Sequence, residues 1–177
     1  MKNPFNENDF DSGDGMLTSV WGPSMWHSLH TISFNYPIKP TSEDKKNYYR
    51  FFLSLKKILP CKYCRINYVK NLKSVPLTMK TMKNRNSVSK WLYELHEEIN
   101  KMLGKKSNLT YEDVKLRYEM FRSRCLTKPK PKTRKKKIES GCVQPLYGKK
   151  SKCVINIVPK DTKCNTFNIH KQCIIKR

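Results

Sequence analysis

The sequence lacks both a membrane-spanning segment and a secretory signal peptide. No segment has the roughly eighteen continuous apolar residues that a membrane-spanning helix needs. The first nine residues, MKNPFNEND, are polar and acidic and lack the apolar stretch of a secretory signal peptide. We therefore expect an intracellular protein that is neither secreted nor inserted in a membrane.

Cysteines are present, but their number and placement do not fit a secreted disulfide framework. The 177 residues contain seven cysteines, whereas such frameworks usually have an even number in a shorter chain. In a reducing compartment, cysteines more often serve catalysis or bind metal. None precedes Cys61, and Cys61 and Cys64 form the single C-x-x-C pair of the sequence. This pair is therefore the first candidate for chemistry.

Acidic residues are scarce, with 14 Asp and Glu against 37 Lys and Arg, for a net charge of +23. The excess is densest in residues 128–177, which hold 15 basic and 2 acidic residues. Residues 128–137 lack apolar side chains and contain two prolines, which indicates a solvated linker. Aromatic side chains that could stack on bases are few beyond it, namely Tyr147 and Phe167. Specific nucleic-acid recognition is therefore weakly supported, whereas a non-specific, salt-sensitive contact with a polyanion is compatible with the charge. Three interpretations of the tail stay open: a basic docking arm, a disulfide shuttle, and a small disulfide- or metal-stabilised module.

Alternating strand patterns are absent before residue 125, whereas apolar residues there recur at helical spacing. We predict an all-α fold, a four-helix bundle with a short fifth helix. Pro23 favours the start of the first helix and Gly104 the end of the fourth. In the tail, residues 153–158 have the composition of a strand, so β structure is one option there. The expected inward side chains of the second and third helices include Phe51, Phe52, Leu55, Ile58, Ile66 and Val69.

The chain is predicted to consist of four segments. These are a flexible leader (residues 1–15), a helical domain (16–125), a basic linker (126–140) and a basic, cysteine-rich tail (141–177). The tail cysteines recur at intervals of 11, 11 and 9 positions, at Cys142, Cys153, Cys164 and Cys173. Three intervals hint at a repeated unit without establishing one. Neither their pairing nor that of Cys125 is assigned.

Helix geometry favours a redox function for the C-x-x-C pair. If Pro60 precedes a helix, both thiols lie in its first turn, where unsatisfied N–H groups and the helix dipole favour a thiolate. The neighbouring Lys62 and Arg65 act in the same direction. That setting suits thiol–disulfide exchange. Half of a zinc site is the alternative, although zinc usually needs a second paired cluster, and a buried, inert pair is the third interpretation.

Two predicted helices carry aromatic and histidine side chains on one face. Trp26 and His30 lie four positions apart on the first helix, and His96 and Asn100 lie four apart on the fourth. Either pair alone is more typical of an aromatic core with hydrogen-bonded histidines. Together they could enclose a planar ring system, and Lys105 would offer a cation to a phosphate.

Three motifs occur in a fixed order. They are W-G-x-x-x-W-x-x-L-H from Trp21, C-x-x-C from Cys61, and W-x-x-x-L-H-x-x-I-N-x-x-L-G-K from Trp91. In their order and spacing the chain resembles the Erv/ALR family of FAD-dependent sulfhydryl oxidases. The resemblance covers residues 16–125, and the basic surroundings look more like members from large DNA viruses than like cellular ones.

The resemblance implies a helical bundle that binds FAD beside the C-x-x-C pair. Cys64 would be the sulfur next to the isoalloxazine, and Cys61 the one that exchanges with incoming disulfides. No metal ligand is assigned. The cofactor-binding residues that the resemblance implies are Gly22, Trp26, His30, His96, Asn100, Lys105 and Tyr118.

The chain departs from the family pattern at two places. Many cellular members link the fourth helix to the start of the fifth by a disulfide, and the corresponding positions here look like Tyr93 and Thr110. The bundle must therefore rely on packing and on FAD for stability. Members also often carry a shuttle cysteine pair before the core. Here a shuttle would have to come from Cys125 or the four tail cysteines.

The predicted function is FAD-dependent oxidation of protein dithiols to disulfides, with oxygen as acceptor and hydrogen peroxide as product. The implied partners are protein dithiol substrates or a thioredoxin-like relay protein, oxygen and, as is usual in the family, a second copy in a homodimer. For a viral protein the location would be host cytoplasm or virion. The alternative is a zinc-stabilised basic module that binds nucleic acid.

Overall fold

The computed structural model describes residue 8, residues 11–126 and residues 141–146. The chain divides into two compact units, Met1–Lys115 and Leu116–Arg177. A short 3-10 turn at Thr81–Lys83 precedes the fourth of the main helices. These helices are α1 (Thr18–Phe34), α2 (Ser42–Ile58), α3 (Lys62–Ser74), α4 (Arg85–Met102) and α5 (Tyr111–Glu119).

Side-chain caps define where α2 and α4 begin. The Thr41 hydroxyl accepts a hydrogen bond from the Asp44 N–H at 3.1 Å, and the Asp44 carboxylate accepts one from the Thr41 N–H at 2.8 Å. At α4, the Asn84 side chain accepts from the Ser87 N–H at 3.0 Å. Each cap contributes about 0.5–2 kcal/mol. Thr41 and Asn84 therefore fix the starts of these two helices.

Helix α1 begins earlier than the prediction from Pro23. It starts at Thr18, so Pro23 lies inside the helix. The first turn is held by the Leu17 carbonyl, which accepts from the N–H groups of Val20 and Trp21 at 3.0 and 3.4 Å. The first turn therefore forms before Pro23. Because proline has no N–H, the helix lacks one backbone hydrogen-bond donor at this position.

The apolar core of the first unit is centred on α2 and α4. Phe52, Leu92 and Leu95 are fully buried. The ring of Phe52 meets Trp91 edge to face, with centroids 5.2 Å apart. Burying one such side chain contributes about 1.5–3 kcal/mol. The all-α bundle that the sequence predicts is thus confirmed, and this core sets the relative positions of its helices.

The predicted inward faces are only partly correct. Phe52 and Leu55 are buried as expected. Helix α3 buries Tyr68 and Asn71, because the Tyr68 hydroxyl donates to the Phe52 carbonyl at 2.9 Å and turns that side of α3 toward α2. Four other predicted inward side chains are at least 36% exposed: Phe51, Ile58, Ile66 and Val69.

The described part of the second unit contains a short antiparallel pair of strands. Strand β1 (Ser123–Leu126) pairs with β2 (Gly141–Pro145), with Ser123 opposite Pro145 and Leu126 opposite Gly141. The strand predicted at residues 153–158 lies outside the described residues. In the part of the chain that is described, no helix is both long and apolar enough to cross a membrane.

The adjacent residues Phe51 and Phe52 offer a test of the core. Phe52→Ala is expected to lower the free energy of unfolding by about 3–5 kcal/mol, because it leaves a cavity among packed side chains. Phe51→Ala, at a position that is 36% exposed, should cost clearly less. Urea denaturation followed by circular dichroism measures both. Equal losses for the two variants would contradict the assignment of the buried face.

Candidate active site

The C-x-x-C pair forms a disulfide at the start of α3. The Cα atoms of Cys61 and Cys64 are 5.1 Å apart. Cys61 is the N-cap residue, with extended backbone at φ −162°, and its Sγ accepts a hydrogen bond from the Cys64 N–H at 3.1 Å. Since this N–H and the helix dipole both favour negative charge, a thiolate on Cys61 would be stabilised when the disulfide opens. The predicted position in the first turn is confirmed.

The two sulfurs have different surroundings. Cys64 packs, partly buried, against the apolar core. Cys61 precedes the helix, and the side chain of Tyr63 between the two cysteines is 72% exposed. Both cysteines are half-buried. The pair therefore contacts the core through Cys64 and is flanked by an exposed residue at Tyr63.

Helices α1 and α4 bring the predicted aromatic and histidine faces together. The rings of Trp26 and His96 are stacked, with centroids 3.8 Å apart and planes inclined by 4°. His30 Nε2 lies 3.1 Å from His96 Nδ1. Trp26 also packs against the same core as Cys64. Two faces that are 70 residues apart in the chain thus form one cluster. They do not enclose a planar ring system as expected, because the Trp26 and His96 rings are in direct contact and leave no space for a ring between them.

Both histidines of this cluster are held in the neutral form. Burial, followed by the charges of His96 and His27, lowers the pKa of His30 from 6.5 to about 3. Burial also lowers the pKa of His96 to about 4; Glu97 opposes this shift and Lys105 adds to it. Near neutral pH the cluster therefore offers uncharged rings and ring nitrogens that can donate or accept hydrogen bonds.

The end of α4 brings the backbone of Lys105 to Asn100 and its charge near His96. Gly104 has φ +66°, which reverses the chain so that the Lys105 N–H donates to the Asn100 carbonyl at 2.8 Å. The side-chain amide of Asn100 donates to Glu97 at 3.0 Å. Lys105 lies close enough to lower the pKa of His96. The turn therefore places a cation beside the cluster.

Gly22 lies on α1, one turn before Trp26. A methyl group added at Gly22 would have no protein atom outside its own helix within 4 Å. Glycine here is therefore not required by the packing of the described protein residues. The position faces open space that another molecule could occupy.

Tyr118 lies in the second unit, beyond the boundary at Lys115. Its ring meets Phe121 edge to face with centroids 5.7 Å apart, and burial raises its pKa to about 12. Its role in binding a cofactor stays a prediction.

Hydrogen bonds connect α4 to the start of α5 in the region where many family members have a disulfide. The Tyr93 hydroxyl donates to the Leu109 carbonyl at 2.8 Å, which ties α4 to the segment before α5. Thr110 then caps α5, with its hydroxyl accepting from the Asp113 N–H at 3.2 Å. The Ser89 and Tyr111 hydroxyls also lie 2.9 Å apart. Packing and these hydrogen bonds connect the two helices.

A groove of about 1110 Å³ runs along another side of α4. Its walls carry both charges, from Glu94, Glu98 and Lys101 among others, and it includes the indole of Trp91. Lys105 is the one predicted site residue that lines it. The groove therefore meets the predicted site at Lys105 and does not contain the Trp26–His96 stack.

One backbone contact of the disulfide is not predicted from the sequence. The backbone of Gly15, which we assigned to the flexible leader, pairs with Cys61 in an isolated antiparallel bridge. The glycines of Gly13-Asp14-Gly15 could have indicated this contact, since glycine often lies where two backbones approach closely. Leader residues therefore contact the redox pair directly.

A zinc site gains no support from the described residues. Among them, no group of three or more His, Cys, Asp or Glu side chains is arranged to hold a metal ion. Cys142 is disulfide-bonded. Cys153, Cys164 and Cys173 lie outside the described residues.

The fold and the site together define a helical bundle in which a C-x-x-C disulfide and a stacked Trp–His pair contact the same core. The model of the Erv1 / Alr family matches residues 23–119, more than half of the chain. The chain therefore belongs to the Erv1 / Alr family, as its motifs predict.

Individual relatives agree with this assignment. A probable FAD-linked sulfhydryl oxidase of Acanthamoeba polyphaga mimivirus is 43% identical over 99 residues, which cover 56% of this chain and 68% of the relative. The FAD-linked sulfhydryl oxidase ERV1 of Arabidopsis thaliana is 32% identical over 96 residues, covering 54% of this chain and 49% of the relative. The chain thus spans about half the length of the plant protein.

Solved structures give the same fold. The FAD binding domain of Erv1 from Saccharomyces cerevisiae matches with a TM-score of 0.53 at 25% identity, covering 58% of this chain and 94% of that domain. The yeast Erv1 core matches with a TM-score of 0.53 at 22% identity, covering 66% of this chain and 92% of the core, and supports the fold alone.

The neutral histidines predict how stability depends on pH. Their folded-state pKa values, about 3 and about 4, lie below the ordinary 6.5. Below pH 6.5 these histidines bind protons in the unfolded chain but not in the folded chain. The stability that the neutral histidines contribute is therefore complete above pH 6.5 and is lost as the pH falls. Between pH 7.5 and pH 5 the free energy of unfolding should fall by about 2–4 kcal/mol. Urea denaturation at several pH values measures this loss.

The variant His30→Gln separates this effect from other titrations. It should show roughly half of the loss between pH 7.5 and pH 5, because one of the two buried histidines is gone. A wild-type stability that stays flat across this range would contradict the assignment of neutral, buried histidines.

Proposed function

We propose that this protein is an FAD-linked sulfhydryl oxidase. It oxidises dithiols of protein substrates to disulfides, with oxygen as acceptor and hydrogen peroxide as product. The observation that carries this proposal is the disulfide at the start of α3, in the same bundle as the stacked Trp26 and His96 rings. Membership of the Erv1 / Alr family supplies the reaction class.

Cys61 is the residue that exchanges with substrate, and Cys64 is the residue on the cofactor side. The place of Cys61 at the N-cap of α3, where its Sγ accepts the Cys64 N–H, and the packing of Cys64 against the core support this order. A substrate thiolate attacks Cys61 Sγ, the Cys61–Cys64 bond breaks, and Cys64 leaves as a thiolate. The second substrate thiol then closes the substrate disulfide and releases Cys61. The enzyme pair has gained two electrons and two protons.

The residues present fit FAD. Flat aromatic surface, uncharged histidines and a cation lie together at Trp26, His30, His96 and Lys105, and Gly22 faces open space. We assign cofactor binding to these residues together with Asn100, and extend it to Tyr118 from the family motif. When bound, FAD accepts the electron pair from the dithiol and passes it to oxygen. The chain's own residues contribute position and electrostatics.

The finer choice of partners is also part of this proposal. Substrates are protein dithiols, either directly or through a thioredoxin-like relay protein. A homodimer is supported by exposed apolar side chains on α1 and α2, including Val20 at 45% and Ile58 at 62% exposure. Contact of the basic tail with a polyanion and an intracellular location, in host cytoplasm or virion for a viral protein, stay predictions.

An absorbance spectrum and an oxygen electrode test the function. The purified protein should show flavin absorbance and consume oxygen when a dithiol is added, with hydrogen peroxide as product. Cys64→Ser should abolish turnover and retain FAD, because it removes one sulfur without changing the cofactor residues. A colourless, folded protein that holds zinc and cannot take up FAD would instead support the zinc-stabilised module.

Gly22→Ala tests the cofactor site apart from turnover. The added methyl group meets no protein atom within 4 Å, and alanine favours a helix over glycine by about 0.5–1 kcal/mol. The apo protein should therefore be equally or more stable, while FAD binding weakens if the cofactor occupies that space. Thermal unfolding and flavin titration measure the two effects. Unchanged FAD affinity would remove Gly22 from the site.

A further inference from the structure

A short segment before α1 crosses the redox disulfide. We call residues 13–16 the strap. Gly15 pairs with Cys61, and the bridge is closed on both sides by backbone hydrogen bonds. The Met16 N–H donates to the Pro60 carbonyl at 2.7 Å, and the Lys62 N–H donates to the Asp14 carbonyl at 2.7 Å. The residues on both sides of Cys61 are therefore held by the strap.

Side chains fasten the strap to α3 and to the end of α2. The Arg65 guanidinium donates to the Gly13 carbonyl at 3.3 Å and to the Leu59 carbonyl at 2.7 Å. Lys62 Nζ lies 3.3 Å from Asp14 Oδ1, but both side chains are more than half exposed, so this ion pair contributes little. Arg65 is thus the main side-chain anchor of the strap.

Glycine is required at position 15 by the contact with Cys61. Gly15 has φ +116°, and a Cβ there would lie 2.6 Å from both the Cys61 Cα and the Pro60 carbonyl oxygen. These are backbone atoms, which cannot move aside as a flexible side chain could. At Gly13, in the same strap, an added Cβ would meet nothing within 4 Å. The two glycines form a matched pair for comparison.

Of the two cysteines in the pair, the strap contacts Cys61, which lies outside α3. Cys64 lies inside α3, whereas Cys61 precedes it in extended conformation, with its Sγ accepting the Cys64 N–H. Once the Cys61–Cys64 bond breaks, no covalent link keeps the Cys61 sulfur at that N–H. The two backbone hydrogen bonds to the strap still fix the peptide groups on either side of it.

We propose that the strap positions Cys61 for thiol–disulfide exchange, and that Gly15 is a positioning residue for this step. The inference rests on the proposed function. In the step concerned, a substrate thiolate bonds to Cys61 Sγ and the Cys61–Cys64 bond breaks. A second substrate thiolate then attacks its own mixed disulfide and expels the Cys61 thiolate. The strap keeps that thiolate at the Cys64 N–H, which stabilises it both as leaving group and in the reduced pair.

The test compares Gly15→Ala with Gly13→Ala in the full chain. The reduced protein is alkylated with iodoacetamide over a range of pH, and modification of Cys61 is followed by mass spectrometry. In Gly15→Ala the alkylation rate at pH 7 should fall about tenfold, and its rise should move to higher pH, because the thiolate loses a hydrogen bond. Gly13→Ala should match the wild type.

Turnover gives the second measurement. For a dithiol substrate, kcat/KM of Gly15→Ala should fall about tenfold while FAD content stays at the wild-type value. The melting temperature should fall, because the added methyl group disrupts the contacts of the strap. Arg65→Lys keeps the positive charge but loses the forked guanidinium that reaches both the Gly13 and the Leu59 carbonyls. It should shift both measurements in the same direction. It therefore serves as the second variant if Gly15→Ala fails to fold.

Two outcomes would overturn the proposal, and a third would refute the function on which it rests. A wild-type alkylation profile in both Gly15→Ala and Arg65→Lys would overturn it. An increase in kcat/KM would also overturn it, since the strap would then shield Cys61 from substrate. A wild-type protein without flavin or oxidase activity would refute the proposed function, whereas the alkylation comparison would still report on the strap.

Discussion

The burial of α4 is the constraint on which the rest of the structure depends. Leu92 and Leu95 are completely buried, and Trp91 packs edge to face against Phe52 of α2. Because the helix is rigid, this packing also directs His96, the residue after Leu95, toward Trp26 on α1. The end of α4 then places Lys105 beside the same cluster. One apolar face therefore builds the core and the candidate cofactor site together.

This shared origin links stability to function. The histidines are neutral because the bundle excludes water from them, so the feature that makes the cluster suitable for a planar cofactor also makes the fold sensitive to acid. Cys61 is different, because it lies at the start of a helix, where the Cys64 N–H donates to its sulfur. The bundle thus combines two histidines that burial keeps neutral with a cysteine placed where negative charge is favoured.

Much of the fold and site could be predicted because the signals are local. The apolar spacing of α4, the cap at Thr41 and the position of Cys61 and Cys64 at the start of a helix all follow from nearby residues. The rotation of α3 could not be predicted, since Ile66 and Val69 have the right spacing for a buried face. A long-range hydrogen bond from Tyr68 to Phe52 turned that helix instead. The contact of Gly15 with Cys61 was missed for the same reason, because 46 residues separate the two.

By itself, the sequence determined the helical class, the family and the chemical identity of the redox pair, because periodicity and motif spacing are properties of the chain alone. The tertiary structure decided which side chains meet. It stacked Trp26 on His96, gave Cys61 and Cys64 different surroundings and laid the strap across Cys61. These contacts join distant parts of the chain, and their geometry depends on how the helices pack, which no local pattern encodes.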